Sequence, residues 1–149
     1  MKENERTIMN NHKLLFAIGT NSHRQQNMSR AVGELAKVFG NGMQLTNIIE
    51  TEAIGLSGPR FLNRMAECST SLSIHDVNTQ MKRIEADCGN TREKRRRGVV
   101  EMDIDILEYA GKRYHADDWQ RPYIIELLRE LGRDDSISIN ECDAKDNNT

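Results

Sequence analysis

The 149-residue sequence has few of the features that mark membrane, secreted or strongly aromatic proteins. Aromatic residues make up 5% and hydrophobic residues 37%, which indicates a modest core with polar ends. No apolar stretch approaches the roughly 20 residues of a membrane helix. The apolar run from Leu14 to Ile18 is shorter than the apolar region of a signal peptide. We therefore expect a soluble, cytoplasmic protein with no membrane partner.

Cysteine and histidine are too scattered to indicate a zinc site or a disulfide framework. The three cysteines form no C-x-x-C pair, and the four histidines show no H-E-x-x-H spacing. Reduced cysteines are the simplest interpretation. The formal net charge of -2 argues against a general nucleic-acid coat, which needs a strongly basic face.

The hydrophobic pattern predicts elements in the order β-α-β-β-α-β-α. The strands are expected at 13–19, 43–54, 61–72 and 99–109, and the helices at 24–39, at 73–88 and from about 122. Residues 1–12 read as a frayed N-terminus, 13–132 as a single domain, and 133–149 as a disordered acidic tail. The order favours a ferredoxin-like α+β sandwich, with helices on one face of a mainly antiparallel sheet.

Two aspartates in the last predicted strand are the strongest candidates for chemistry. Glu101, Asp103 and Asp105 alternate with apolar residues, which predicts a half-buried strand with an acidic exposed face. Asp103 and Asp105 then have Cβ atoms roughly 6–7 Å apart on one face. Such a pair can hold one Mg²⁺ or bridge two, with phosphate oxygens completing the shells. The alternative is an ordinary acidic strand surface.

A basic segment directly precedes that strand and carries Arg92, Lys94, Arg95, Arg96 and Arg97. A charged loop beside two carboxylates offers the cations that phosphate transfer needs, and arginine can bind phosphate oxygens in a bidentate manner. The alternatives are a solvated loop or a nucleic-acid patch.

A pair of residues near the middle of the chain has the chemistry to bind a flat ring. Phe61 can stack on a planar heterocycle and Asn63 can hydrogen-bond to it, although such residues are more often core and turn residues.

A set of short motifs resembles one enzyme family in order. The motifs are A-I-G-T-N at 17–21, F-L-N at 61–63, R-I-E at 83–85 followed by Gly89 and Arg92, and M-D-I-D-I at 102–106. Together they resemble the 6-hydroxymethyl-7,8-dihydropterin pyrophosphokinase family over about residues 13–110. The resemblance implies an α/β/α sandwich that transfers the β,γ-pyrophosphate of ATP to the pterin hydroxymethyl oxygen and releases AMP.

The resemblance also implies roles for individual residues. Asp103 and Asp105 would ligate two Mg²⁺ ions and, with Arg92, would be the catalytic residues. The ATP contacts would be Glu85, Arg92, Ile106, His115 and Arg121. The pterin contacts would be Thr51, Phe61, Asn63 and Tyr123. We expect a monomer that acts on these small molecules and binds no nucleic acid.

Some positions depart from the family pattern. Val100 and Asn90 stand where the family has arginine, and Arg97 stands at its pterin-stacking tryptophan. These departures support a second hypothesis, a non-catalytic paralogue that binds nucleotide or a partner. Arg95 or Arg96 could instead compensate by reaching in from the loop. A third hypothesis is an RNA-binding module, but the aromatic [KR]-G-[FY] motif of an RRM is missing.

Overall fold

The computed structural model describes residues 11–53 and 58–133. Most of the predicted frayed N-terminus and nearly all of the predicted acidic tail lie outside the described residues, so both stay predictions. The elements are β1 (His12–Thr20), α1 (Arg24–Phe39), β2 (Gln44–Leu45), β3 (Ile49–Thr51), β4 (Phe61–Thr70), α2 (Ile74–Asp87), α3 (Arg92–Arg96), β5 (Asp103–Tyr109), β6 (Lys112–Arg113), a 3₁₀ helix (Ala116–Gln120) and α4 (Pro122–Glu130).

The strands form one sheet in the order β2-β4-β1-β5-β6, and β3 also pairs with β4. The pairings between the described strands are antiparallel, which confirms the α+β class with a mainly antiparallel sheet. β1 lies between β4 and β5, so Gly19 has Asn63 on one side and Asp103 on the other. This register brings the F-L-N and D-x-D motifs to the same end of the sheet.

One face of the sheet packs against α1 and α2, as the helical periodicity predicts. Ser73 caps α2, because its hydroxyl accepts a hydrogen bond from the Asp76 backbone N–H. The buried residues of this layer include Phe16, Ile18, Met28, Leu35, Val77, Met81, Ile84, Ile104 and Ile106.

The opposite face of the sheet is also covered, so the prediction of helices on one face is wrong. The 3₁₀ helix and α4 bury Trp119, Ile124 and Leu127 against Leu15, Met65 and Leu107 of the sheet. The Trp119 indole donates to the Tyr114 carbonyl at 2.9 Å, and the Arg113 guanidinium stacks 4.3 Å from the ring centre. The resulting layers are those of the α/β/α sandwich.

Tertiary contacts also changed three local predictions. The strand predicted over 43–54 is two short strands, because the Thr46 hydroxyl between them accepts from the Met65 N–H. The predicted loop over 90–98 contains α3, which Thr91 caps. Glu101 is 3% exposed and therefore does not belong to an exposed acidic face. None of the helices in the described part of the chain has the length and apolarity to cross a membrane.

Candidate active site

Asp103 and Asp105 face a cleft of about 180 Å³ at the end of the sheet, here called the aspartate cleft. β5 supplies both aspartates, and α4 and the preceding 3₁₀ helix form the opposite wall. Besides the aspartates, the lining includes Gly19, Thr51, Phe61, Asn63, Asp118, Arg121 and Tyr123. The structure therefore brings all four residues predicted to contact pterin together with both predicted metal ligands.

The polar wall of the aspartate cleft has a defined hydrogen-bond arrangement. The Asn63 side-chain N–H donates to the Thr51 hydroxyl at 2.7 Å, and the pairing of β3 with β4 brings the two residues together. Phe61 follows the alternation of β4 and lies on the same side of the sheet. Tyr123 reaches the cleft from the first turn of α4. These groups can hold a flat ring that carries hydrogen-bonding atoms on its edge.

Asp103 and Asp105 lie close together in the aspartate cleft with little positive charge beside them. Burial, together with the nearby charges of Asp103 and Asp118, raises the pKa of Asp105 to about 7. Burial and the charge of Asp118 also raise the pKa of Tyr123, to about 12. Basic side chains approach the two aspartates only at long distances: an Arg95 nitrogen lies 3.5 Å from Asp103, and His115 Nε2 lies 4.0 Å from Asp105. A bound cation would relieve this repulsion.

The donor set indicates which cation would fit. Among residues 11–53 and 58–133, no group of three or more histidine, cysteine, aspartate or glutamate side chains converges as a metal site. Asp103 and Asp105 alone match the needs of Mg²⁺, which takes one or two carboxylates and completes its shell with substrate phosphates and water. The pair could therefore hold Mg²⁺ jointly with a phosphorylated substrate.

A second cleft, of about 560 Å³, lies between α2 and β5 and also borders Asp105. Its volume is within the roughly 300–1,000 Å³ typical of small-molecule sites. Its lining residues are Ile74, His75, Asn78, Lys82, Ile104, Asp105, Ile106, Tyr114 and His115. Two of the residues predicted to contact ATP, Ile106 and His115, therefore line a cleft that meets the aspartate cleft at Asp105.

The other residues predicted to contact ATP are placed differently. Glu85 is buried beside the second cleft, where its carboxylate accepts from the Ile104 N–H at 2.8 Å and from Lys82 at 3.3 Å. Burial raises the pKa of Glu85, and the Ile104 N–H partly opposes that shift. Arg121 lines the aspartate cleft and pairs with Asp118 at 2.9 Å. Arg92 is exposed at the start of α3 and lines neither cleft.

Asp118 and Lys82 are cleft residues that the sequence pattern did not single out. Asp118 lies in the 3₁₀ helix, which has no hydrophobic period to reveal its orientation. Lys82 lies on α2 one position before the R-I-E motif, where its polar neighbours indicate only a solvent-facing side chain. A helical wheel would place Lys82 near Asn78, four residues earlier, which is the signal that could have identified it.

Comparison with known proteins identifies a matching family and related sequences. Residues 15–133 match the sequence model of the family described as 7,8-dihydro-6-hydroxymethylpterin-pyrophosphokinase. A folate synthesis bifunctional protein of Arabidopsis thaliana is 28% identical over 129 residues, which cover 80% of this chain and 27% of that protein. The mitochondrial folate synthesis bifunctional protein of Pisum sativum is 30% identical over 132 residues, covering 80% and 25%.

The chain thus spans about a quarter of the length of the curated relatives that it matches. Among solved structures, an amidase of the hydantoinase/carbamoylase family from Burkholderia ambifaria matches with a TM-score of 0.38 and 8% identity. That match covers 82% of this chain and 33% of the amidase, and the likeness is too low to inform either fold or function.

Proposed function

The chain belongs to the 7,8-dihydro-6-hydroxymethylpterin-pyrophosphokinase family of diphosphokinase transferases, and on that premise we propose that it transfers the β,γ-diphosphate of ATP to the hydroxymethyl oxygen of the reduced pterin, releasing AMP. The observation that carries the proposal is the aspartate cleft. It joins the two aspartates to Thr51, Phe61, Asn63 and Tyr123, which come from separate strands and α4.

In the proposed complex the acceptor pterin lies in the aspartate cleft. Phe61 and Tyr123 supply the aromatic contacts with its ring. Because the Asn63 amide already donates to Thr51, its oxygen is left to accept from a ring N–H. These contacts would orient the hydroxymethyl group towards Asp103 and Asp105, and correct orientation accounts for much of the rate gain in reactions of this kind.

We propose that Asp103 and Asp105 hold two Mg²⁺ ions together with the phosphates of ATP. When bound, magnesium would neutralise the phosphate charge and polarise the attacked phosphoryl group. Burial first, and then the charges of the neighbouring carboxylates, raise the pKa of Asp105, and a bound cation would oppose both effects. The two aspartates are otherwise poorly compensated, because Arg95 approaches Asp103 only at 3.5 Å.

For ATP, we propose that the adenosine occupies the second cleft, against Ile106 and His115 and near Glu85. Asp105 borders both clefts, so the phosphates would cross from the second cleft into the aspartate cleft at this residue. Arg121 and Arg92 are proposed phosphate contacts, the latter after a change of side-chain position. Arg95 takes the part of the arginine that is absent at the buried Val100.

A second candidate function is nucleotide binding without turnover, and the position of Asn90 favours it. Asn90 stands where the family pattern has an arginine, and its amide oxygen accepts from the Glu101 and Met102 N–H groups. The Asn90 side chain therefore holds the backbone just before β5 in place and is not available to bind phosphate. A chain that lost this arginine could keep both clefts and transfer diphosphate slowly or not at all.

Incubation of the protein with ATP, MgCl₂ and the reduced pterin, followed by chromatography for AMP, separates the two functions. AMP that requires both the pterin and magnesium supports the transferase. Magnesium-dependent ATP binding by calorimetry without AMP supports the non-catalytic paralogue. If the protein neither binds ATP nor forms AMP, both candidate functions are wrong. The cytoplasmic location, the monomeric state and the lack of nucleic-acid binding stay predictions.

A further inference from the structure

Glu101 is a buried carboxylate that the proposed reaction does not use. One of its oxygens accepts from the Asn27 amide at 3.0 Å and lies 3.1 Å from His23 Nδ1, and both partners belong to the start of α1. Its other oxygen accepts from Lys94 Nζ at 2.9 Å. A buried charge is tolerated only when it is paired in this way. Glu101 thus links α1 to α3 immediately before β5.

The helix that Glu101 holds has little stability of its own. α3 has five residues, none of them buried, and so short a helix is unstable in isolation. Lys94 connects it to the domain, because this side chain bonds Glu101 and also donates to the Gly89 carbonyl at 3.0 Å. The turn after α3 is held by Asn21, whose side chain donates to the Gly98 carbonyl at 2.8 Å. The orientation of α3 therefore depends on side-chain anchors.

Lys94 and Arg95 are consecutive on α3 and point in different directions, about 100° apart around a helix. Lys94 points inward to Glu101, and its side chain is 34% exposed. Arg95 then points towards Asp103, with a nitrogen 3.5 Å from the carboxylate. If Lys94 were released, rotation or fraying of α3 would carry Arg95 away from the aspartate cleft.

We propose that Glu101 is a positioning residue, which holds α3 through Lys94 in the orientation that directs Arg95 to Asp103 and to the phosphates bound there. The anchoring part stands on the contacts of Glu101, Lys94 and α1 alone. The part that concerns phosphate rests on the proposed function.

Hydrogen exchange tests the anchor without any substrate. Lys94→Met removes the ion pair, Lys94→Arg keeps the charge, and Glu93→Gln changes an exposed charge on the same helix as a control. We expect the Arg95 and Arg97 backbone amides to exchange about tenfold faster in Lys94→Met than in the wild type. A factor of about ten is expected because one charge-assisted hydrogen bond that stabilises α3 is lost. Lys94→Arg should largely restore protection, and Glu93→Gln should not change it. Unchanged exchange in Lys94→Met would overturn the anchor.

A double-mutant cycle tests whether the anchor acts through Arg95. Glu101→Gln and Arg95→Ala are each expected to lower kcat by about tenfold or more, with a smaller change in the KM for ATP. If Glu101 acts through Arg95, the double variant should match Arg95→Ala. Lys94→Met replaces Glu101→Gln in the cycle if the latter does not fold. Independent, multiplying effects would overturn the positioning role.

The anchoring of α3 by Glu101 and the positioning of Arg95 for phosphate can be contradicted independently of each other. If the wild-type chain forms no AMP and binds no Mg²⁺-ATP, the proposed function is wrong and Glu101 positions nothing for phosphate. The exchange measurement still decides whether Glu101 anchors α3, because it requires neither substrate nor metal.

Discussion

Gly19 of β1 lies opposite Asn63 of β4, so close that a Cβ atom on Gly19 would stand 3.0 Å from the Asn63 amide oxygen. Asn63 has little room to move, because its nitrogen donates to Thr51 at 2.7 Å. The absence of a side chain at Gly19 therefore leaves space for the amide that faces the aspartate cleft.

Gly19→Ala should impair pterin binding while leaving the fold intact. The added methyl group must displace the Asn63 amide, and loss of its hydrogen bond to the ring would raise the KM for pterin about tenfold, with less change in kcat. Gly33→Ala is the matched control on α1. Apart from its chain neighbours and the backbone of its own helix, no described atom lies within 4 Å of the new Cβ, and the change should stabilise the protein by about 1 kcal/mol. Equal KM values in the two variants would contradict the role of Gly19.

Removal of either aspartate should abolish transfer. Asp103→Asn and Asp105→Asn each remove a carboxylate from the proposed magnesium site, so AMP formation should fall by about a thousandfold. Asp117→Asn is the control, because Asp117 is exposed on the 3₁₀ helix and lines neither cleft. Rates measured across a magnesium titration would show the loss, and full activity in Asp103→Asn would exclude the proposed metal site.

The pKa of Asp105 predicts how stability depends on pH in the absence of metal. Burial and neighbouring carboxylates raise this pKa to about 7 in the folded state, above the unfolded value of about 4. At Asp105 the folded protein therefore binds more protons between those values, and the stability that this residue contributes is lost as the pH rises from about 4 to 7.

Asp105→Asn removes that dependence. In EDTA, differential scanning calorimetry should show a melting temperature for Asp105→Asn a few degrees above that of the wild type at pH 8. At pH 4 the difference in melting temperature should be smaller. Magnesium should reduce this difference in melting temperature at pH 8, because it binds and stabilises the wild type. An equal difference in melting temperature at both pH values would contradict a raised pKa for Asp105.

Tyr123 should act on the acceptor through its ring. Tyr123→Ala removes one of the aromatic walls of the aspartate cleft, and the lost stacking predicts a Kd for pterin raised about tenfold. Tyr123→Phe keeps the ring and should stay within about twofold of the wild type. Pterin fluorescence titration would measure both affinities, and a strong defect in Tyr123→Phe would assign the role to the hydroxyl instead.

Trp119 should contribute strongly to the stability of the layer formed by the 3₁₀ helix and α4, which carries Tyr123 and Arg121. Its side chain is fully buried and bonds the Tyr114 carbonyl, so Trp119→Ala should cost about 3–5 kcal/mol of unfolding free energy. Trp119→Phe keeps most of the volume and should cost less. Urea denaturation checks both values, and a loss below about 1 kcal/mol in Trp119→Ala would mean that this layer packs loosely.

Local periodicity predicts much of this fold, and the motifs predict much of the site. α1 has the same bounds as its prediction, β1 and α2 differ from theirs by one residue at each end, and β4 ends two residues earlier than predicted. The agreement is close because the apolar spacing of these elements depends only on neighbours in sequence. Thr51, Phe61 and Asn63 meet at one cleft because β3 pairs with β4, and Tyr123 reaches the same cleft from α4.

The 3₁₀ helix, Asp118 and the covered second face of the sheet were not predictable in this way. They depend on Trp119 packing against residues that are distant in sequence, and a short irregular segment has no period to reveal that packing. Arg92 illustrates the same limit for a motif residue, since its place in the chain does not establish that its side chain reaches either cleft.

By itself, the sequence determined the alternation that places Asp103 and Asp105 on one face of β5, because side chains in a strand alternate whatever lies around them. Only the tertiary structure decided that Glu101, on the same alternation, is buried as a partner of Lys94, His23 and Asn27. The reason is physical: a carboxylate becomes a ligand or a structural anchor according to which groups the other layers of the fold bring to it.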